Sequence, residues 1–152
     1  MRKKQLKEIA ERHGISVVYL FGSQAEIGKR YLEGERVMPD ASSDLDVAVA
    51  FERPPEPDKA LETYGFIYKE LSILFDPFEI DLIFLHEHNA LFKYEIIKGI
   101  RIYVKDEESA DNIEMEIMRQ AEDLSFKRKK FCEEIMEAIE DGYFEFEYSP
   151  SR

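Results

Sequence analysis

The chain has 152 residues, of which 44% are hydrophobic and 36% are charged, and its formal net charge is −12. This length and composition fit one folded domain, and the negative charge disfavours direct binding of a long nucleic acid, because Lys and Arg supply the affinity for a phosphate backbone. The single cysteine excludes an internal disulfide. The N-terminus lacks a signal-peptide pattern and no apolar stretch is long enough to span a bilayer, so we expect a cytoplasmic protein without membrane association.

The first part of the chain predicts a helix, two strands and a polar segment between the strands. Residues 2–13 have helical spacing and are followed by Gly14, and "SVVYLF" is typical of a buried strand that ends in the turn Gly22-Ser23. The beginning of the segment 24–43 favours a helix, and "EGERVMPDASS" favours a loop. The alternating stretch "SSDLDVAVAF" predicts the second strand.

The rest of the chain continues this alternation and ends in one long helix. Residues 60–75 predict a helix whose spacing suggests an apolar face of Leu61, Tyr64, Tyr68, Leu71 and Phe75. The stretches "FEIDLIFLH", "NALFKYEIIKG" and "IRIYVKD" predict a strand, a helix and a strand. Residues 107–141 predict a long helix, continuous or broken near Ser125, with a recurring apolar stripe formed by Ile113, Ile117, Ala121, Leu124, Phe131, Ile135 and Ile139. The order of elements predicts an α+β fold with α/β-like alternation: a small mixed sheet flanked by helices, with a long C-terminal helix.

Two aspartates stand one residue apart in the second predicted strand. Successive side chains of a strand point to opposite faces, so Asp44 and Asp46 share one face while Leu45, Val47 and Val49 share the other. Two neighbouring carboxylates repel each other unless a cation lies between them. The pattern therefore suggests a cation site, although acids at the start of a strand often do no more than meet solvent.

A third carboxylate lies in the next predicted strand, where apolar residues surround Asp81 in "EIDLIFL". An isolated charge in such a setting is costly unless it is paired or bound to a metal, although it could also protect an edge strand from aggregation. If this strand lies beside the Asp44–Asp46 strand, the three carboxylates form a set of oxygen ligands of the kind that Mg²⁺ prefers. The Gly22-Ser23 turn adds a place where backbone N–H groups and a hydroxyl could bind phosphate.

These motifs together resemble the minimal nucleotidyltransferase (MNT-type) family of the DNA polymerase β-like superfamily. The resemblance rests on "YLFGSQA", "SSDLDVAVAF" and "EIDLIFL" and covers most of residues 15–106. It implies a nucleotidyltransferase domain at residues 1–106, with residues 107–152 as a helical extension of the same unit. It also implies that Asp44 and Asp46 bind two Mg²⁺ ions, that Asp81 completes the site as a base or metal ligand, and that Gly22 and Ser23 hold the triphosphate of ATP.

The family resemblance also implies an activity and a partner. Many small members are antitoxins that transfer AMP from ATP to a tyrosine hydroxyl of a HEPN-domain RNase toxin, as in a type VII-like toxin–antitoxin pair. A long C-terminal helix would suit docking of such a helical partner. The expected assembly is either a hetero-oligomer with this partner or a homo-oligomer. Some members modify themselves, which makes Tyr143 and Tyr148 candidate acceptors. Two alternatives remain: an antitoxin that masks its partner without catalysis, and a nucleotidyltransferase for a small molecule such as an aminoglycoside.

The sequence departs from the family pattern between the turn and the first aspartate. The gap between Ser23 and Asp44 is longer than usual, and Gln24 stands where the family commonly has arginine. We expect Lys29 or Arg30 to be the candidate phosphate-facing cation, and residues 28–40 to form a flap over the site.

Four other features have structural explanations that we favour over functional ones. His13 is expected at a helix C-terminus, where its charge would meet the helix dipole, and His86-x-His88 lacks a nearby third metal ligand. Cys132 is expected to be a small buried hydrophobe of the long helix. The basic cluster "FKRKKF" is expected to be a solvated face, with an acidic partner or RNA held by a partner as the alternative.

Overall fold

The computed structural model describes residues 1–142 and contains four strands and five α-helices within that range. Their order confirms the predicted alternation, and it also confirms a helix in the first part of the polar segment. The elements are α1 (Arg2–His13), β1 (Ile15–Phe21), α2 (Ala25–Leu32), β2 (Leu45–Phe51), α3 (Ala60–Leu74), β3 (Ile80–Phe84), α4 (Ala90–Ile97), β4 (Ile100–Val104) and α5 (Glu107–Glu140). A single 3₁₀ turn, Leu85–Glu87, connects β3 to α4.

The four strands form one mixed sheet in the order β3-β2-β1-β4. β1 pairs antiparallel with both β2 and β4, whereas β2 and β3 run parallel. The α+β class with a small mixed sheet is therefore as predicted. The parallel pair matters most for function, because it brings the N-terminal ends of β2 and β3 to the same edge of the sheet.

Helices cover both faces of the sheet and create two apolar cores. The first core includes Leu6 of α1, Leu71 of α3 and the large side chains of β2, namely Leu45, Val47 and Val49. The second core lies on the other face, where α4 and α5 supply Ile96, Ala110 and Ile117 above the small side chains Ala48 and Ala50 of β2. The predicted division of β2 into a large apolar face and a small-residue face is thus observed.

Local signals explain where several helices begin and end. Gly14 ends α1 in the left-handed conformation (φ 67°), and its N–H donates to the carbonyl of Ala10. Asn89 caps α4, because its side-chain oxygen accepts a hydrogen bond of 2.9 Å from the N–H of Phe92.

The predicted inward face of α3 was partly wrong. Leu71 is buried as expected, but Leu61 is 84% exposed, and Ile67 is fully buried. Leu61 and Ile67 point about 120° apart around the helix, since each residue turns an α-helix by roughly 100°. The buried line is Ile67–Leu71–Leu74, whose spacing of four and three residues places it on a single face of the helix.

The long helix α5 is continuous over 34 residues, so a break near Ser125 is not observed. Its buried residues are Ala110, Ile117 and Ala121, all in the half that packs on the sheet. The expectation that Cys132 is buried was wrong: this residue is exposed, because it lies on the half of α5 beyond the last buried position. Tyr143 and Tyr148, the candidate self-modification sites, lie outside the described residues.

Candidate active site

The three aspartates singled out in the sequence lie at the same edge of the sheet. In the parallel register of β2 and β3, Asp46 is the direct partner of Asp81, and Asp44 lies two residues before Asp46. Asp46 is partly buried and Asp81 is exposed. The alternation of β2 places Asp46 on the same face as Ala48 and Ala50, so the carboxylates stand at the open end of the face that α4 and α5 cover further along.

The turn after β1 brings glycine against this carboxylate pair. Phe21, the last residue of β1, pairs with Asp46, and Gly22 follows with a φ of 77°. A Cβ atom at position 22 would overlap the Oδ2 atom of Asp46. Position 22 therefore requires glycine for two reasons: the backbone is in the left-handed conformation, and the carboxylate of Asp46 occupies the space that a Cβ atom would need.

The helix α2 begins directly after the Gly22-Ser23 turn, as the phosphate-binding interpretation of this turn required. The N–H of Ala25 donates to the carbonyl of Gly22 at 3.3 Å, and Ser23 is exposed at the start of the helix. The first N–H groups of a helix have no intrahelical partner, and the helix dipole favours an anion there. The turn can thus offer N–H donors and a hydroxyl beside Asp46.

Gln24 has a role that the sequence did not predict. Its side chain is only 2% exposed, its Nε2 atom donates to the carbonyl of Ser43, and its Oε1 atom accepts a hydrogen bond of 2.7 Å from the N–H of Asp40. Since Ser43 immediately precedes Asp44, Gln24 fixes the end of the long loop that delivers this aspartate. The only signal in the sequence was the departure from the arginine that is common at this position.

The expected flap and its cation were only partly placed by the sequence. The range 28–40 spans two structures, because Gly28 is buried in α2 against Leu20 and Leu45, while the loop proper follows α2. Arg30 is exposed in the last turn of α2, where it pairs with the carboxylate of Glu35 at 3.1 Å. Lys29 is partly buried in the last turn of α2.

The electrostatics of the site favour a bound cation. Burial, the neighbouring charge of Asp81 and then that of Asp44 together raise the pKa of Asp46 above its ordinary value. Within residues 1–142, no three His, Cys, Asp or Glu side chains are gathered around one point as a formed metal site. The three carboxylates nevertheless provide an oxygen-only donor set along one strip, which is the chemistry that suits Mg²⁺.

A polar network holds α5 on the sheet below the site. Tyr19 of β1 lies opposite Ala48 and is fully buried, and its hydroxyl donates to Glu114 of α5 at 2.8 Å. Arg101 of β4 pairs with the same Glu114 and with Asp111. Burial first, and then the hydrogen bond and charge of Glu114, raise the pKa of Tyr19, so this hydroxyl stays protonated and keeps donating.

The histidines occupy structural positions. His13 ends α1 as expected, with its Nε2 atom 3.3 Å from the carboxylate of Glu70. The rings of His86 and Phe84 stack with 5.9 Å between their centroids, and the ring of His88 lies 4.8 Å from that of Phe92.

Comparisons with known proteins agree with this geometry. The family described as "Polymerase beta, Nucleotidyltransferase" matches residues 4–108. No curated protein matches the chain at a significant level.

No helix within residues 1–142 is long and apolar enough to cross a membrane.

Several solved structures share the fold at low sequence identity. One is a mutant MntA–HpeT toxin–antitoxin complex, with a TM-score of 0.63, 12% identity and coverage of 90% of this chain and 99% of that chain. A second is a toxin–antitoxin complex with AMP-PNP, with a TM-score of 0.60, 14% identity and the same coverage of 90% and 99%. A third is described as a tri-AMPylated Shewanella oneidensis HEPN toxin in complex with MNT antitoxin, with a TM-score of 0.57, 13% identity and coverage of 89% and 96%.

Proposed function

Because the chain belongs to the polymerase β-type nucleotidyltransferase family, we propose that it transfers AMP from ATP to a tyrosine hydroxyl of a HEPN-family toxin and acts as the antitoxin of that pair. The observation that carries the proposal is the site itself. Asp46 and Asp81 are direct partners on parallel strands, Asp44 lies two residues away, and the Gly22 turn closes against Asp46.

Each residue of the site has a distinct role in this proposal. The backbone of the Gly22-Ser23 turn and the start of α2 bind the triphosphate, and the Ser23 hydroxyl adds a donor. Asp81, the more exposed carboxylate of the pair, accepts the proton of the acceptor hydroxyl. The hydroxyl oxygen then forms a bond to the α-phosphorus, the bond from that phosphorus to the bridging oxygen breaks, and pyrophosphate leaves.

Asp44, Asp46 and Asp81 would also hold Mg²⁺, two ions in the full arrangement. When bound, Mg²⁺ neutralises charge on the triphosphate and on the leaving pyrophosphate. The raised pKa of Asp46 supports this assignment, because a carboxylate that is partly buried and faces two others gains most from a cation. Gln24 keeps Asp44 in place through its hydrogen bond to the carbonyl of Ser43.

The choice of AMP and of a HEPN partner is supported by the solved structures of the same fold. One of those complexes contains AMP-PNP, and another contains a HEPN toxin that carries AMP groups. The identities of 12–14% transfer only the fold, so the partner, the nucleotide and the tyrosine acceptor are proposals for this chain.

The test is intact-mass spectrometry of the protein and a HEPN-family partner that co-purifies with it, after incubation with ATP and Mg²⁺. We expect the partner to gain one or more AMP units, and we expect no gain with Asp46→Asn. Asp58→Asn is a matched control, because Asp58 is exposed in the connection that follows the C-terminal end of β2, at the opposite end of that strand from Asp46. A partner that is silenced equally well by Asp46→Asn without any mass gain would replace the proposal with masking.

A further inference from the structure

The C-terminal half of α5 extends away from the folded body. The last buried residue of the helix is Ala121, and the helix continues to Glu140. These remaining residues span about 28 Å at the usual rise of ~1.5 Å per residue. They form an isolated helix surface in the part of the chain that the structure describes, which we call the distal half of α5 (residues 122–140).

The apolar stripe of α5 continues through this distal half at helical spacing, with Arg128 as its one charged member. Ile117 and Ala121 of the stripe are buried against the body. The same line then runs through Leu124, Phe131, Ile135 and Ala138, at steps of seven, four and three residues. Phe131 is 61% exposed. A stripe that packs on the sheet in one half and faces solvent in the other half is typical of a helix that packs against a second partner.

Beyond Glu122 and Asp123 at its start, the charges of the distal half are separated along its length. The positions 127–130 are all basic, and the acidic residues follow at Glu133, Glu134, Glu137 and Glu140, with Asp141 just after the helix. A second copy in a parallel orientation would place basic on basic and acidic on acidic. A second copy in the antiparallel orientation would place the basic segment of each helix beside the acidic segment of the other.

We propose that the distal half of α5 forms an antiparallel two-helix interface with the distal half of a second copy of this chain. With the two-fold axis near Glu133, Phe131 of each copy packs on Ile135 of the other. Lys127 of each copy then lies near Asp141 of the other. Such an interface is isologous, since both copies contribute the same surface.

Arg128 favours the antiparallel arrangement over the parallel one. It interrupts the apolar stripe between Leu124 and Phe131, at a position that would face the interface. In the proposed pairing Arg128 lies beside Ala138 of the second copy, between Glu134 and Asp141 of that copy. A charged residue in the seam of a helix pair fixes register and orientation when the opposite helix offers a partner of opposite charge.

The charge pattern permits a decisive test with the full-length chain. In the first variant, Lys127→Glu, Arg128→Glu and Lys130→Glu are combined, and in the second, Glu134→Lys, Glu137→Lys and Asp141→Lys are combined. Each variant alone should self-associate at least about tenfold more weakly than the wild type, because like charges then face each other. A mixture of the two variants should associate again, with an affinity that falls as salt is added.

Sedimentation equilibrium across a range of protein concentrations provides the measurement, and circular dichroism checks that both variants keep their helix content. A wild-type chain that stays monomeric at all concentrations would overturn the proposal. Variants that dimerise as well as the wild type would also overturn it, as would a mixture that fails to associate.

The orientation can be tested separately by disulfide formation. In a Cys132→Ser background, one chain carries Ser125→Cys and the other carries Ile139→Cys. The antiparallel register brings these two positions together across the interface, whereas a parallel register keeps them about 21 Å apart along the axis at ~1.5 Å per residue. Cross-linking of the mixture supports the proposal, and cross-linking of each variant only with itself contradicts it. If the distal half instead binds a different protein so that copies never pair, no cross-link forms and the proposal fails.

Discussion

The most specific prediction concerns the contact between Gly22 and the Asp46 carboxylate. Gly22→Ala introduces a methyl group into space that the Oδ2 atom of Asp46 occupies, at a residue with φ of 77°. The obstructing atom is the end of a side chain, so the carboxylate can move and the fold can survive. What the substitution should disturb is the position of the carboxylate that we assign to metal and nucleotide binding.

The expected loss of stability follows from the backbone. A left-handed residue other than glycine costs roughly 1–2 kcal/mol, and for a chain of this size each kcal/mol lowers the melting temperature by about 2–4 °C. Gly22→Ala should therefore melt between about 2 and 8 °C below the wild type. Gly14→Ala is the matched control, because Gly14 has a φ of 67° and a methyl group added there would meet no atom within 4 Å.

The two variants should separate in activity. Both lose similar stability, but only Gly22→Ala displaces Asp46, and a misplacement of about 1 Å at an active site can reduce the rate about 100-fold. Differential scanning calorimetry gives the stability, and the rate of AMP transfer at saturating ATP and Mg²⁺ gives the activity. Transfer by Gly22→Ala at the rate of Gly14→Ala would refute the assignment of this turn.

Three further predictions test other parts of the account. Gln24→Ala should lose about 1–3 kcal/mol, because it leaves the partly buried carbonyl of Ser43 and the N–H of Asp40 without their partner. It should also lower the transfer rate, and unchanged calorimetric stability would contradict the role of Gln24 in holding this loop. Asp46→Asn should raise the melting temperature of the metal-free protein at pH 7, because a pKa that is raised in the folded state means that the ionised carboxylate opposes folding. This gain should vanish below the ordinary aspartate pKa, where Asp46 is protonated in both the folded and the unfolded state. Equal melting temperatures at pH 7 would refute the electrostatic argument. Gly65→Ala should increase the free energy of unfolding by roughly 0.5–1 kcal/mol without affecting AMP transfer, because Gly65 lies inside α3 with nothing within 4 Å of a new Cβ. A lower free energy of unfolding in urea would contradict this prediction.

The sequence predicted the parts of the site that depend on local pattern. Strand alternation placed Asp46 on the face opposite Leu45 and Val47, and the structure has this arrangement, whereas Asp44 lies one residue before β2 begins. The helix after Ser23 was also indicated by the sequence. The adjacency of Asp46 and Asp81 depends on strand order, which no local sequence pattern specifies. The predicted cation site therefore had to assume that the two strands are neighbours.

What the sequence did not predict depends on contacts between distant residues. Gln24 is polar and would ordinarily be exposed, and only its partners Asp40 and Ser43 explain its burial. Cys132 lies in a helix with a strong apolar stripe, and its exposure follows from where the sheet ends beneath α5. Leu61 fits a helical repeat, but the face that α3 buries is set by its packing against the sheet.

The central claim is that the chain transfers the nucleotidyl group of ATP. The most direct test uses ATP that carries radioactive phosphate at either the α- or the γ-position and measures which label becomes attached to protein. We predict that the α-label becomes covalently attached to protein while pyrophosphate is released, and that EDTA, Asp46→Asn or Asp81→Asn abolishes the attachment. Attachment of the γ-label would show phosphoryl rather than nucleotidyl transfer. Attachment that persists in both aspartate variants would contradict the site described above.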